Sequence, residues 1–334
     1  MKESNMQKIQ HIAIVGAGRM GKAIAIAFAY AGLDAVLIDA KDRSEDQFKK
    51  YQENLAQDLL QELNLLEKIN FIQATQKQVI FDRIQLMSKQ NSSAYLQKCQ
   101  LIMEGVPEVL EAKQALFSWL DGEISKDCIV ASTTSTFLVS DIAQMLSHPE
   151  RVINAHWLNP AYLIPLVELS RSEQTSDQVV EVLKDFLKNI GKVPVVCNAK
   201  AGYIVPRIQA LAMNEAARMV EEGVASAEDI DIAIRTGFGL RFSVLGLLEF
   251  IDWGGGDILY YASQYLEKEL GQRYQSPQII VDNMQNNRNG MREMQGFYDY
   301  QNMDVQQYKL QVLSHFSDRI EMSKLKPKFD IAKD

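Results

Sequence analysis

Three glycines, Gly16, Gly18 and Gly21, set between an apolar run and a helical one, constrain this chain more than any other feature. His11–Val15 is apolar and β-branched, the pattern of a strand buried on both faces. Lys22–Ala31 is alanine-rich and helical in pattern, and Gly32 closes it. Ala35–Asp39 reads as a second strand ending in a carboxylate. Strand, glycine turn, helix, strand and acid within about 30 residues make a dinucleotide-binding unit. Gly16 permits the tight turn, Gly18 lets the backbone approach a pyrophosphate, and Gly21 lets the helix pack on the strand. Arg19 and Met20 complete the loop, and the pyrophosphate rests on the helix N-terminus. Asp39, 18 residues after Gly21, is placed for the hydroxyls of an adenosine ribose. A carboxylate there repels a 2′-phosphate, so NAD is expected rather than NADP. Lys41 and Arg43, just beyond, read as solvated loop charges.

With 334 residues the chain is long for one domain and comfortable for two. A formal net charge of −8 argues against nucleic acid or an anionic membrane as the main partner. No apolar run approaches the roughly 20 residues that span a bilayer. The polar stretch Met1–Gln10 has no signal-peptide core. Cys99, Cys128 and Cys197 are odd in number and widely spaced, which fits buried thiols in a reducing compartment rather than disulfides or a metal site. A cytoplasmic protein with no metal is expected.

Further strands are expected at Arg83–Ser88, Leu101–Val106, Cys128–Ser132, Val152–Trp157, Leu166–Ser170 and Val193–Asn198. Helical patterns lie between them at Gln47–Lys68, Val109–Leu120 and Ser176–Ile190. This alternation predicts a Rossmann-type, doubly wound and largely parallel α/β sheet. Gln47–Lys68 and the polar stretch after it form a long insert, expected as an antiparallel helical excursion. After Asn198 the pattern turns helical throughout: Tyr203–Glu222, Glu228–Arg235, Val244–Phe250, Asp257–Leu270 and Pro277–Met284. The chain is therefore divided into a dinucleotide-binding domain, 1–198, and an all-helical C-terminal domain, 199–334, which helps form a substrate cleft. The lysine-rich end from about Met322 is expected to fray.

Four segments carry chemistry: Ala131–Thr136, Asn154–Pro160, Pro165–Glu168 and Gly202–Arg207. Oxidising a secondary alcohol with NAD requires removal of the hydroxyl proton, for which histidine is suited. A carboxylate on the far ring nitrogen fixes its tautomer. His156 and Glu168 lie 12 residues apart on neighbouring strand candidates, so they can pair, and Ser135 can hold the substrate oxygen. Taken singly, each residue has a plainer explanation. His156 is as well explained as a hydrogen-bonded core histidine, Glu168 as a structural acid and Ser135 as a helix cap.

The set of motifs resembles the 3-hydroxyacyl-CoA dehydrogenase family, which joins an NAD-binding domain to a helical one. That family's pattern has a serine, a histidine 21 residues on and a glutamate 12 further, and Ser135, His156 and Glu168 keep both intervals. His156–Pro160 is similar to its histidine motif, with Asn159 intact, and Gly296–Tyr300 to its C-terminal aromatic signature. Glu108 and Lys113 match its nicotinamide-side pair. The resemblance covers roughly residues 10–300. It implies that His156 is the general base, Glu168 its orienting partner and Ser135 a ligand of the reacting oxygen. It further implies that Gly16, Gly18, Arg19, Met20, Gly21, Asp39, Glu108, Lys113, Ser135 and Asn159 hold NAD. A homodimer and a role in fatty acid metabolism are implied as well.

Three departures bear on the substrate. The family's substrate-binding asparagine falls at Pro206, whose side chain offers no hydrogen bond. The excursion that holds CoA phosphate with lysines in acyl-CoA members is acidic here after Lys49 and Lys50. Gly239–Phe242, taken to open a helical segment, is more like the carnitine and gulonate branch, and Tyr162–Glu168 leans the same way. A buried Arg241 would clamp a free carboxylate, while a surface or interface arginine is the plainer alternative. The leading expectation is oxidation of an L-3-hydroxyacyl-CoA of the 3-hydroxybutyryl type. The close alternative is a small free 3-hydroxy acid. A non-catalytic NAD-binding structural protein, the role of lambda-crystallin, is remote because Ser135, His156 and Glu168 are all intact.

Overall fold

The structure, a computed structural model, describes residues 9–327. Most of the polar stretch Met1–Gln10 and of the lysine-rich end lies outside these residues. Contact density divides the chain into two compact units, 1–212 and 213–334.

The first unit is built on one sheet of β1 (Ile12–Val15), β2 (Ala35–Asp39), β3 (Ile84–Ser88), β4 (Leu101–Glu104), β5 (Ile129–Ser132), β6 (Val152–Trp157), β7 (Leu166–Arg171) and β8 (Val193–Asn198). The spatial order is β3-β2-β1-β4-β5-β6-β7-β8. Pairings from β3 through β6 are parallel. β7 turns antiparallel to β6, and β8 runs parallel to β7. The connection at residues 158–165 explains the reversal, because a parallel crossover needs about a dozen residues or more.

Residues alternate across β1. Ile12 and Ile14 join the core on one face of the sheet, and Ala13 and Val15 join the core on the other. The first face is covered by α1 (Arg19–Tyr30), α2 (Glu45–Lys68), α3 (Ala74–Asp82) and, further along, a helix at Asp177–Asn189. The second is covered by α4 (Ser93–Leu96), α5 (Leu110–Glu123) and α6 (Val139–Ala143), the helix at Asp177–Asn189 being α7. The helical excursion is present as α2 and α3. Ser44 and Gln47 form a reciprocal cap at the start of α2. Leu55, Leu59, Leu63 and Leu66 form its buried stripe, while Lys49 and Lys50 are exposed. α3 follows in the polar stretch, with Ile80 as its buried residue.

α8 (Val205–Glu221) contains the division between the units. The second unit continues with α9 (Ala227–Ala233), α10 (Gly239–Phe242), α11 (Leu247–Gly254), α12 (Gly256–Leu270), α13 (Gln278–Gln285) and α14 (Val305–Met322). A π-helical turn, Ile234–Phe238, joins α9 to α10. Gly239–Phe242 therefore closes a helical run instead of opening one. The reason is that Gly237 and Gly239 stay inside the run and do not stop it. The helix expected at Val244–Phe250 begins only at Leu247, because Gly246 is extended and donates its N–H to the Glu249 carboxylate at 2.6 Å. The aromatic signature has a structural partner. Phe297 N–H, Tyr298 N–H and the Tyr300 hydroxyl donate to buried Asp252 at 3.0, 2.9 and 3.0 Å. Among the described residues, no helix is long and apolar enough to cross a membrane.

Candidate active site

The carboxyl ends of β1, β4, β5 and β6 lie along one edge of the sheet, where open α/β sheets bind ligands. Because β7 is reversed, it brings its amino end, with Glu168, to the same edge.

At the β1 end, Gly16 has φ +109°, and a Cβ there would lie 2.7 Å from the Gly105 backbone. Only glycine fits such a turn without displacement. A Cβ on Gly18 would meet open space, and its backbone is exposed. Gly18 gives α1 no side-chain cap, and the first turn holds no acid. The positive end of α1 is thus left available to an anion. A cavity of about 780 Å³ opens here, lined by Gly18, Arg19, Asp39, Arg43 and Tyr51 among others. Met20 is half-buried against the first core. These features fit a dinucleotide.

Asp39 is buried at the end of β2. Its carboxylate accepts from the Lys41 N–H at 3.3 Å and from Arg43 Nε. Arg43 is not the solvated loop charge expected from the sequence. Its guanidinium lies 4.2 Å from the centre of the Tyr51 ring, and Tyr51 in turn donates to the Ala17 carbonyl at 3.0 Å. A ring supplied by α2 gives the guanidinium a surface to lie on, which loop sequence alone does not reveal.

A polar chain crosses from β4 to β5. Glu104, fully buried and not singled out from the sequence, accepts from Lys113 Nζ at 3.0 Å on each oxygen and from Ser132 Oγ at 2.5 Å. Its signal was an acid closing the apolar run Leu101–Glu104. Buried Lys113 lies 3.6 Å from Glu108. Glu108 accepts from Ser135 N–H at 2.5 Å, Thr134 Oγ1 at 2.9 Å and Ser135 Oγ at 3.3 Å. Burial pushes the Glu108 carboxyl up, but the Ser135 N–H, the Lys113 ammonium and the two hydroxyls outweigh it, and the net shift is down. The sequence candidates Glu108, Lys113 and Ser135 thus belong to one network.

His156 and Glu168 meet across β6 and β7 as direct register partners. His156 Nδ1 is 2.8 Å from Glu168 Oε2. An Nδ1–H given to Glu168 leaves Nε2 with its lone pair. The other carboxylate oxygen, Oε1, accepts from the N–H groups of Ile204 and Val205, both at 2.9 Å. Glu168 thereby caps the start of α8. Pro206, next along, has no N–H that would need a partner. The Tyr203 ring stacks on His156, with centroids 4.9 Å apart and planes 18° apart. Sequence reasoning gave Tyr203 no role at the site and read it as the first residue of a helix, whereas it precedes α8 with φ +45°.

Asn159 is exposed, and its peptide bond to Pro160 is cis. Lys192, also missed, donates to the carbonyls of Ala161 at 2.6 Å and Ile164 at 2.9 Å and so pins this loop. In the second unit Arg241 is exposed. Its Nε donates to the Gly237 carbonyl at 3.1 Å, and its guanidinium lies 5.1 Å from the centre of the Phe250 ring.

A Rossmann-type sheet, a glycine cradle with an acid beside it and a helical second part define an NAD-dependent dehydrogenase. Residues 11–200 match the model for the 3-hydroxyacyl-CoA dehydrogenase NAD-binding domain, and residues 202–300 match that for the C-terminal domain. The chain belongs to the 3-hydroxyacyl-CoA dehydrogenase family. It is 32% identical to a 3-hydroxybutyryl-CoA dehydrogenase of Bradyrhizobium diazoefficiens, over 87% of this chain and 96% of the relative. It is 29% identical to a 5-formyl-3-hydroxy-2-methylpyridine 4-carboxylate 5-dehydrogenase of Mesorhizobium japonicum, over 87% and 91%. A solved 3-hydroxyacyl-CoA dehydrogenase from Archaeoglobus fulgidus superposes with a TM-score of 0.73 at 28% identity, covering 94% of this chain and 99% of that one.

Proposed function

We propose that this chain oxidises the 3-hydroxyl of an L-3-hydroxyacyl-CoA, of the 3-hydroxybutyryl type, to the 3-keto thioester as a step of fatty acid metabolism. The observation that carries the proposal is the His156–Glu168 pair at 2.8 Å. Nε2 takes the proton as the substrate hydroxyl ionises. Glu168 holds the Nδ1–H and offsets the charge of the imidazolium that forms. The Ser135 hydroxyl exchanges its 3.3 Å bond to Glu108 for one to the reacting oxygen, while Glu108 keeps the Ser135 N–H and so holds the backbone of that serine in place. Bound NAD supplies the acceptor for the hydride leaving the same carbon. Gly16, Gly18, Arg19, Met20 and Gly21 would hold its pyrophosphate, Asp39 its ribose, and Glu108, Lys113, Ser135 and Asn159 its nicotinamide side.

A second reading, a small free hydroxy acid, is favoured by two features of this chain and one relative. Pro206 stands at the family's asparagine, the excursion is acidic beyond Lys50, and the Mesorhizobium relative is named for a carboxylate substrate. Arg241 is then the carboxylate clamp. The test is NADH formation on 3-hydroxyacyl-CoAs, carnitine and gulonate. Turnover confined to the CoA thioesters, with a KM that Lys49→Ala/Lys50→Ala raises at low salt and changes little at high salt, supports the first reading. Turnover confined to free acids, with KM raised in Arg241→Ala, overturns it.

The working unit is proposed to be a homodimer joined through the helical part. Ile258, Tyr261 and Tyr265 on α12 and Leu310 and Leu313 on α14 are exposed and apolar, which a second copy would cover. Sedimentation at micromolar concentration tests this, and a monomer contradicts it. The buried thiols Cys99 and Cys128 suit the reducing cytoplasm, which imaging of a tagged chain checks.

A further inference from the structure

We infer that Tyr203 is a positioning residue that fixes the plane of the His156 ring and ties it to the loop carrying Ser135. The inference rests on His156 being the base.

Glu168 alone does not fix an imidazole. A single hydrogen bond at Nδ1 sets the direction of one ring atom, but the ring still swings about that bond. Such a swing carries Nε2 away from the substrate oxygen. The Tyr203 ring removes this freedom. It lies nearly parallel to the imidazole, 18° apart, with a centroid distance of 4.9 Å. An imidazole held at one nitrogen and along one face has a single orientation for Nε2.

Tyr203 is itself held at both ends. Its hydroxyl donates to the Thr134 carbonyl at 2.8 Å and accepts from Asn154 Nδ2 at 3.0 Å. Thr134 precedes Ser135, and Asn154 lies two residues before His156 on the same face of β6. One phenol therefore spans the serine loop and the histidine strand. At the backbone end, Gly202 and Tyr203 have φ of +80° and +45°. A left-handed tyrosine is disfavoured and persists where surrounding contacts determine it. The next two residues, Ile204 and Val205, give their N–H groups to Glu168. One turn thus holds the carboxylate by its backbone and the imidazole by its side chain.

The test uses the NAD-loaded enzyme, with kcat counted per NAD-binding site. Tyr203→Leu removes the ring and both tethers. Its kcat should fall about 100-fold, the scale of a misplaced reacting group. KM and NAD affinity should stay within about threefold, since neither depends on where Nε2 points. Tyr203→Phe keeps the stack and should recover most of the loss. Independently of any substrate, the His156 ring signals in NMR should lose their upfield ring-current displacement in Tyr203→Leu and keep it in Tyr203→Phe. Equal kcat losses in the two variants would overturn the stacking role. So would an unchanged kcat in Tyr203→Leu, or His156 ring signals that do not move. A His156→Gln control separates the two ideas, because near-normal turnover there removes the base itself.

Discussion

Glu168 sits directly opposite His156 on the neighbouring antiparallel strand, and its two oxygens serve different masters. Oε2 faces the imidazole at 2.8 Å, and Oε1 closes the first turn of α8 through Ile204 and Val205. The same fully buried carboxylate orients a ring and caps a helix.

That double attachment predicts a stability effect. Glu168→Ala leaves two backbone N–H groups and the ring Nδ1–H without their acceptor. The cost should be about 2–4 kcal/mol. For a protein of this size that is a fall of roughly 3–6 °C in Tm. Glu168→Gln keeps an acceptor oxygen and should lose less. Thermal unfolding followed by circular dichroism checks both, and an unchanged Tm in Glu168→Ala would contradict the capping role.

Cofactor choice turns on Asp39 and Arg43. With Asp39 intact, Arg43 is paired to its carboxylate and rests on Tyr51. NAD should bind more tightly than NADP. Asp39→Ala should weaken NAD binding roughly tenfold or more, the scale of a charged hydrogen bond. It should also free Arg43 to meet a 2′-phosphate, narrowing the preference. Titration of both cofactors by fluorescence decides it. Tighter NADP binding by the unmodified protein would contradict this account.

The buried thiols carry a pH prediction. Burial pushes the Cys99 and Cys128 thiols up to about 12 each, with the neighbouring Cys128 adding to the shift of Cys99. A raised thiol keeps its proton until the pH nears that value, so at pH 8 both should be almost wholly unreactive. Cys197, half-buried and raised as well, is the most accessible of the three. A thiol-reactive dye should therefore label at most Cys197 in the native protein and all three after denaturation. Rapid native labelling of Cys99 or Cys128 at pH 8 would contradict the packing.

Much of this was legible in the chain because strands buried on both faces are short apolar runs with clear ends. The eight strands fall where Val, Ile and Leu cluster, and Gly16 and Gly21 mark a turn whose backbone demands glycine. The spacing of His156 and Glu168 was legible as well, since a bend across 158–165 returns one strand beside the other. What stayed hidden depends on distant partners. Arg43 looks solvated until α2 brings Tyr51 over it. Glu104 looks like a strand end until Lys113 and Ser132 close around it. Tyr203 reads as the start of a helix, whereas its position depends on a left-handed turn and on Thr134 and Asn154, both far away in sequence.

The most direct test of the central claim is NADH formation by His156→Gln, counted per NAD-binding site. The account predicts turnover lower by about 100-fold or more, the range of a positioned acid–base group, with NAD affinity nearly unchanged. Near-normal turnover would contradict it and leave His156 as a hydrogen-bonded residue of the sheet.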